Sequence, residues 1–290
     1  SMVVLGQVEC HQPVQGIPLA LVVLVKSPIA WSEDNNISIV TQHGTYIFDF
    51  YITPEECSPG FLFNRNFVAP PKEVNNVDTG IDVVTLLDHA ERGDAHNLIL
   101  DEVLSSVQRA KVELDPKHSK NISVNLPGGD PNHVGYRRSA WSPRGIGKKE
   151  RCMICLVTHD HQVFLVARQS LFWKKIINIS KIWNSYVTDN NWSILEMKWD
   201  TPAYKKHVTR LKMLAVSEIL WTPLFDADTS NGFSVLIMTL ANGRAVFWRV
   251  SANLDLQDTE FEKGIEIMSV EDFKLENISS MHWLQGKGHS

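Results

Sequence analysis

The strongest chemical signal in this 290-residue sequence is a cluster of positive charge between residues 137 and 151. Glycines at 145 and 147 lie within it, and glycine lets a backbone approach a ligand closely. Such a loop can contact phosphate groups or an acidic partner, but it can equally be a solvated surface loop. The cluster contains one acidic residue, Glu150. Its six basic residues are Arg137, Arg138, Arg144, Lys148, Lys149 and Arg151.

Residues 145–149 have some features of a phosphate-binding loop. A P-loop, however, needs an earlier glycine, a Ser or Thr after its lysine, and a strand that leads into it. Here Lys149 is followed by Glu150. We therefore predict no nucleotide site in this loop.

Two other patterns could bind a metal. Cys152 and Cys155 have CxxC spacing, but they lie in an apolar strand pattern, where residues three apart point to opposite faces. His159 and His161 flank Asp160 where a hairpin turn belongs, and Asp satisfies its own backbone in turns. We interpret the cysteines as core residues and predict no metal site, no cofactor and no catalytic residues, since no nucleophile–base pair is visible.

The composition fits an ordinary globular protein and excludes several classes. With 43% hydrophobic residues and a net charge of -5, the chain is neither disordered nor suited to coat nucleic acid through its global charge. Four cysteines are too few for a disulfide scaffold. The longest apolar stretch, residues 17–25, is about half of the ~20 residues that a membrane span needs.

A repeated unit organises the chain. Each copy has a short strand ending in Trp followed by Ser or Thr, then a polar loop, then a tight hairpin with apolar arms rich in Val, Ile and Phe. Residues 242–243 (Asn-Gly) predict a two-residue hairpin turn with positive φ at both positions. Residues 176–179 are a candidate outer strand of the second unit. Four tryptophans anchor the repeat: Trp31, Trp141, Trp221 and Trp283, the last in a fourth unit that begins at Ile278.

One Trp strand, one hairpin and a weaker fourth strand make a four-stranded blade, so we predict an all-β, WD40-like β-propeller. A WD40 blade takes about 40–45 residues, but the anchors are 110, 80 and 62 residues apart. The propeller is therefore incomplete or partly degenerate. Residues 1–290 are either the propeller domain or, as we favour, the N-terminal portion of one.

Insertions fill the space between units. Residues 51–138 form the largest, with two short helices predicted within 82–111 and a polar loop over 116–138. Residues 189–216 predict a helix or an irregular lid. Long excursions from a rigid scaffold are where partner contacts usually lie.

Four stretches give the sequence a family likeness. It resembles the N-terminal propeller region of the ninety-kilodalton (fourth, delta) subunit of general transcription factor IIIC. The stretches lie in the family's order: IAWSEDN at 29–35 leading into 37–39, FNRNFVAP at 63–70, SAWSPRG at 139–145 followed by 151–152, and residues 235–248.

The resemblance implies a seven-bladed propeller acting as a non-enzymatic scaffold in a nuclear assembly that recognises RNA polymerase III promoters. Its implied partners are other factor IIIC subunits, factor IIIB and polymerase III, with DNA contacted mainly through the complex and no membrane. Histone acetyltransferase activity is also ascribed to the family, but the nearest acetyl-CoA loop match, residues 142–147, begins with Ser and lies in a blade loop. That activity, and direct DNA contact through the basic loop, are the alternatives to a scaffold.

Overall fold

The computed structural model of the chain describes three four-stranded antiparallel sheets, a helix of 11 residues and a short helical stretch at 212–214. The described residues are 28–41, 44–52, 61–71, 76–77, 124–125, 135–159, 161–170, 172–190, 212–226, 231–254, 264–275, 278 and 280–284. In sheet I the strands are β1 (Ile29–Trp31), β2 (Asn36–Thr41), β3 (Gly44–Ile52) and β4 (Phe61–Val68). A small pair, β5 (Asn76–Val77) and β6 (Val124–Asn125), follows.

Sheets II and III have the same order of strands along the chain. Sheet II contains β7 (Tyr136–Trp141), β8 (Ile154–Thr158), β9 (Val163–Gln169) and β10 (Phe172–Asn178), and helix α1 (Ile179–Asp189) follows it. Sheet III contains β11 (Val216–Trp221), β12 (Phe233–Leu240), β13 (Arg244–Ser251) and β14 (Ile265–Asp272). The predicted all-β repeat of Trp strand, hairpin and outer strand is confirmed.

The residue after each anchor tryptophan explains why the repeat pairs Trp with Ser or Thr. Its backbone N–H donates to the carbonyl of a residue within two positions of the start of the next strand, and its hydroxyl accepts the N–H of that same residue. We call this pair of bonds the hydroxyl clasp. It joins Ser32 to Asn36 in sheet I, Ser142 to Met153 in sheet II and Thr222 to Val235 in sheet III, with hydroxyl distances of 2.8, 2.8 and 2.9 Å.

The sheets pack face to face through apolar side chains, as blades do. All five residues of β8 are buried. Ile154 and Leu156 pack with Val40 and Ile47 of sheet I, whereas the alternate residues, such as Cys155, pack toward sheet III. A continuous apolar run is therefore expected in this strand, because alternating side chains enter two different cores.

The anchor tryptophans occupy the same strand position but have different surroundings. Trp141 donates its indole N–H toward Ala30 O (3.2 Å) and Ser38 Oγ (3.1 Å) of sheet I. Trp221 is buried in the core shared with sheet II. Trp31 is 66% exposed and stacks on Phe50.

The fourth anchor differs from the prediction. Residues 280–284 form no strand, and Met281 instead packs against Val235, Ile237 and Ala245 on the outer face of sheet III. Trp283 makes an edge contact with Phe225 at 6.2 Å. Among the described residues no strand lies beside this segment to pair with its backbone.

The turn at residues 242–243 also differs in detail from the prediction. The loop between β12 and β13 has three residues, Gly243 N–H donates to Leu240 O (3.0 Å), and positive φ occurs at Gly243 (81°) but not at Asn242. A Cβ at Gly243 would collide with the carbonyl of Leu275. Glycine is needed there both for its conformation and for this close approach.

Some of the remaining predictions fall on described residues and others lie outside them. The outer strand predicted at 176–179 is β10, which begins earlier and ends at Asn178, the N-cap of α1. Strand β4 belongs to sheet I although it lies inside the predicted 51–138 insertion. The two predicted helices of 82–111 and most of the 189–216 segment lie outside the described residues and stay predictions. No helix in the described part of the chain has the length and apolar character to cross a membrane.

Candidate interaction surface

The structure separates the six residues of the predicted basic contact loop into two groups. Arg137 and Arg138 lie at the start of β7, and the other four lie in the loop after its end. Arg138 lies three residues before the end of β7 at Trp141, which is about 10 Å of extended strand at roughly 3.3 Å per residue. The length of the predicted strand was the signal that could have separated them.

Residues 147–151 form a small hairpin that we call the basic tip. The N–H of Gly147 donates to Arg151 O (2.8 Å), and the N–H of Arg151 donates back to Gly147 O (3.3 Å). Lys149 and Glu150 have left-handed φ of 60° and 53°, which costs each residue about 1 kcal/mol. The surrounding structure must therefore hold this conformation in place.

The residues that precede the basic tip, Gly145 and Ile146, are bonded to residues that follow the third strand of sheet III. Ile146 is fully buried in the core beside Leu254. The carbonyls of Gly145 and Ile146 accept the N–H groups of Asn253 (2.8 Å) and Leu254 (3.0 Å). These backbone bonds leave little freedom for the loop to move relative to its neighbour sheet.

Residues on either side of the basic tip are also bonded to sheet I. Glu33 Oε2 accepts the N–H of Arg144 at 2.7 Å, and Asp34 Oδ2 accepts the N–H of Cys152 at 3.0 Å. The basic tip therefore belongs to sheet II, and the residues on either side of it are bonded to both adjacent sheets. Such preorganisation lowers the entropy that a binding loop loses when it meets a partner.

Asp34 is held as a carboxylate by its hydrogen bonds. Its carboxyl accepts from Ser32 Oγ (2.6 Å), Asn36 Nδ2 (2.8 Å) and Cys152 N. Burial by itself would raise the pKa of Asp34, but these bonds outweigh it and the pKa is lowered. The Asp34 carboxylate binds donors of the fold itself, so we assign Asp34 a structural role.

The basic tip carries an excess of positive charge at the surface. Residues 143–151 contain four basic side chains and one acid, and Lys148, Lys149 and Arg151 are exposed. Arg144 Nη2 pairs with Glu150 Oε2 at 3.1 Å, also in an exposed position. An exposed pair of this kind adds little stability, so a binding partner could replace the Arg144–Glu150 contact at low cost.

The cysteine and histidine patterns have structural roles in the described chain. Cys152 and Cys155 are buried free thiols, as predicted. Burial, with the nearby Asp34 charge, raises the pKa of Cys152 to about 12, and burial alone raises the pKa of Cys155. His159 and His161 flank the β8–β9 turn. Among the described residues, no group of three His, Cys, Asp or Glu side chains could hold a metal ion.

Comparison with known proteins accounts for the repeated sheets. Residues 31–285 match the family model of the Transcription factor IIIC subunit delta beta-propeller domain. The chain belongs to this family. The three sheets are thus blades of a propeller, and the chain is a propeller region of a transcription factor subunit.

A curated relative agrees with this assignment. The chain is similar to human General transcription factor 3C polypeptide 4, with 19% identity over 173 residues. These residues are 58% of this chain and 19% of that protein, so the chain matches about a fifth of the relative's length.

Proposed function

We propose that this propeller is a non-enzymatic scaffold in a nuclear factor IIIC assembly, where it mediates contacts that recruit factor IIIB and RNA polymerase III. Membership of the delta-subunit family supports a place in a multi-subunit transcription factor. The observation that carries the contact role is the basic tip, an exposed basic hairpin of sheet II whose flanking residues are bonded to sheets I and III. A rigid charged projection on a β scaffold suits recognition of an acidic protein surface.

The test is charge reversal in the tip. A Lys148→Glu/Lys149→Glu chain should recover at least fivefold less factor IIIC, IIIB or polymerase III protein in a pull-down than the wild type. The matched control is Lys174→Glu/Lys181→Glu, which makes the same charge change at two exposed lysines on β10 and α1. Equal recovery by both variants, or no recovery by the wild type, would overturn the proposal.

Direct DNA contact is the second candidate, because the same exposed lysines could neutralise phosphates. Each phosphate contact contributes about 0.9 to the slope of log affinity against log salt. If the tip binds duplex DNA, the double reversal should reduce that slope by about 2. An unchanged slope would discard DNA contact and leave the protein partner as the explanation.

Acetyl-CoA binding has less structural support. Residues 142–147 connect two strands of one blade, and the carbonyls of Gly145 and Ile146 bond to sheet III. Calorimetric titration with acetyl-CoA should therefore give no heat of binding. Saturable binding would favour the acetyltransferase alternative over a scaffold.

A further inference from the structure

Arg137 lies at a bulge in the inner strand of the second blade. The register of β7 on β8 shifts between Tyr136, which faces Thr158, and Arg138, which faces Val157. Arg137 is therefore the extra residue, and a bulge re-aims the side chain that it carries. The side chain turns toward the β8–β9 turn, where Arg137 Nη2 lies 3.0 Å from His161 Nδ1.

The two adjacent arginines have different partners. Arg138 forms an ion pair with Glu218 of β11, and this pair joins the second and third blades. Arg137 has no carboxylate within ion-pair distance among the described residues, and its Nε is buried without a hydrogen-bond partner. A desolvated guanidinium donor without an acceptor is costly, because the lost water is not replaced.

The electrostatic environment of Arg137 agrees with its lack of a carboxylate partner among the described residues. Burial, followed by the adjacent charge of Arg138, lowers the pKa of Arg137 to about 10, and Glu218 offsets only part of this effect. Arg137 is still a cation at neutral pH. Among the described residues, an incoming anion would therefore meet a positive charge that Glu218 offsets only in part.

His161 shows a related conflict. Its Nδ1 is 3.0 Å from Arg137 Nη2 and 2.9 Å from the carbonyl oxygen of Val216. A neutral ring nitrogen can accept from the guanidinium or donate to the carbonyl, but it cannot do both. An anion that took up the guanidinium would leave Nδ1 to donate to Val216.

We propose that Arg137 is the anchor of a carboxylate-binding site on the inner strand of the second blade. The ligand is an Asp or Glu side chain of a protein partner, which approaches Arg137, a partly exposed residue, beside Arg138. A carboxylate matches the guanidinium fork and brings one negative charge. A phosphate dianion fits less well, because Glu218 already neutralises Arg138. This site is separate from the basic tip at the opposite end of β7.

The test follows the Nε–H resonance of Arg137 by NMR while a five-residue aspartate peptide is added to the full chain. We expect a saturable shift that is retained when Lys148→Glu/Lys149→Glu removes the tip charges, so that the two sites are distinguished. Arg137→Gln should weaken peptide binding in that background at least tenfold, and Arg65→Gln, at an exposed arginine of β4, should change it less than twofold. Inorganic phosphate at equal ionic strength should bind at least tenfold more weakly.

Either of two results would overturn the proposal: no shift of the Arg137 resonance, or equal peptide affinity in Arg137→Gln and Arg65→Gln. Equal affinity for phosphate and peptide would replace the carboxylate with a general anion and equally contradict it.

A second measurement separates a binding role from a structural one. Arg138→Met removes the partner of Glu218 and should lower the melting temperature by several degrees. Arg137→Met removes an unsatisfied donor and should leave the melting temperature unchanged or raise it. A larger loss in Arg137→Met than in Arg138→Met would assign Arg137 to the fold and overturn the binding site.

Discussion

The two interfaces between neighbouring blades are built from different chemistry. Sheets I and II meet through a buried polar network centred on Asp49 as well as apolar packing, whereas sheets II and III share one large apolar core in addition to the Arg138–Glu218 ion pair. Both interfaces join sheets of the same topology. The pattern that the blades share therefore specifies the blade, and side chains that differ from blade to blade specify how each pair of blades is joined.

Asp49 is the centre of the polar network between sheets I and II. It is 2% exposed, and its carboxylate pairs with Arg168 Nη1 at 3.1 Å. It also accepts from Trp173 Nε1 at 3.3 Å and from Asn66 Nδ2 at 3.2 Å. Burial raises the pKa of Asp49 despite the opposing effect of Arg168. Such a centre depends on the geometry of every partner.

The interface between sheets II and III depends mainly on buried area. Leu236, Met238 and Trp248 of sheet III are fully buried in a core that includes Leu165 of sheet II. Trp183 of α1 joins this core and donates its indole N–H to Met213 O at 2.8 Å. Apolar packing is non-directional, so this interface should tolerate changes of shape that preserve volume.

The largest effect is expected from Trp248 in the apolar core. Trp248→Ala should lower the free energy of unfolding by about 3–5 kcal/mol, because it opens a cavity. Trp248→Phe should cost much less, since the indole N–H has no hydrogen-bond partner to lose. Denaturant midpoints at constant slope measure both. Equal losses would show that polar geometry matters in this interface too.

The next effect is expected at the polar centre. Asp49→Ala removes the carboxylate that pairs with Arg168 in a largely buried position and should cost about 3 kcal/mol. The double variant Asp49→Leu/Arg168→Met should recover most of this loss, because removing both partners leaves no uncompensated charge. The same denaturation measurement applies. If the double variant is as unstable as the single one, the ion pair itself stabilises the interface.

Residues close in sequence made the repeat predictable. The hydroxyl clasp needs only a Ser or Thr directly after the Trp strand. The apolar runs in the hairpin arms indicate that these strands are buried. By contrast, α1 was not predicted, because Ile176, Ile177 and Ile179 favour a strand and the helical spacing of Trp183 and Val187 begins only after them.

The contacts between blades were not predictable from local patterns. Asp49 and Arg168 lie in different blades, and nothing near either residue in the sequence indicates the other. Arg137 and Arg138 are adjacent, yet one has a carboxylate partner and the other has none among the described residues. The bulge that separates their directions is a property of strand pairing.

The hydroxyl clasps provide a control for the comparison of the two interfaces. Each clasp lies within one blade, so its contribution to stability should be similar in every blade. Ser142→Ala in sheet II and Thr222→Val in sheet III each leave a backbone N–H without its hydroxyl acceptor. Each should cost about 1–2 kcal/mol, measured by thermal or denaturant unfolding. A difference of more than about 1 kcal/mol between them would mean that the interface chemistry extends into the blade.

The smallest effect is expected from the pH dependence of the first interface. Because the pKa of Asp34 is lowered in the fold, its contribution is complete above the ordinary pKa of an aspartate, near 3.8, and is lost as the pH falls through the lower folded value. Acid titration of the unfolding midpoint should therefore be steeper for the wild type than for Asp34→Asn. The matched control is Glu33→Gln, an exposed neighbour in the same loop. If both variants retain the wild-type slope below pH 4, the hydrogen bonds from Ser32, Asn36 and Cys152 do not favour the charged form of Asp34.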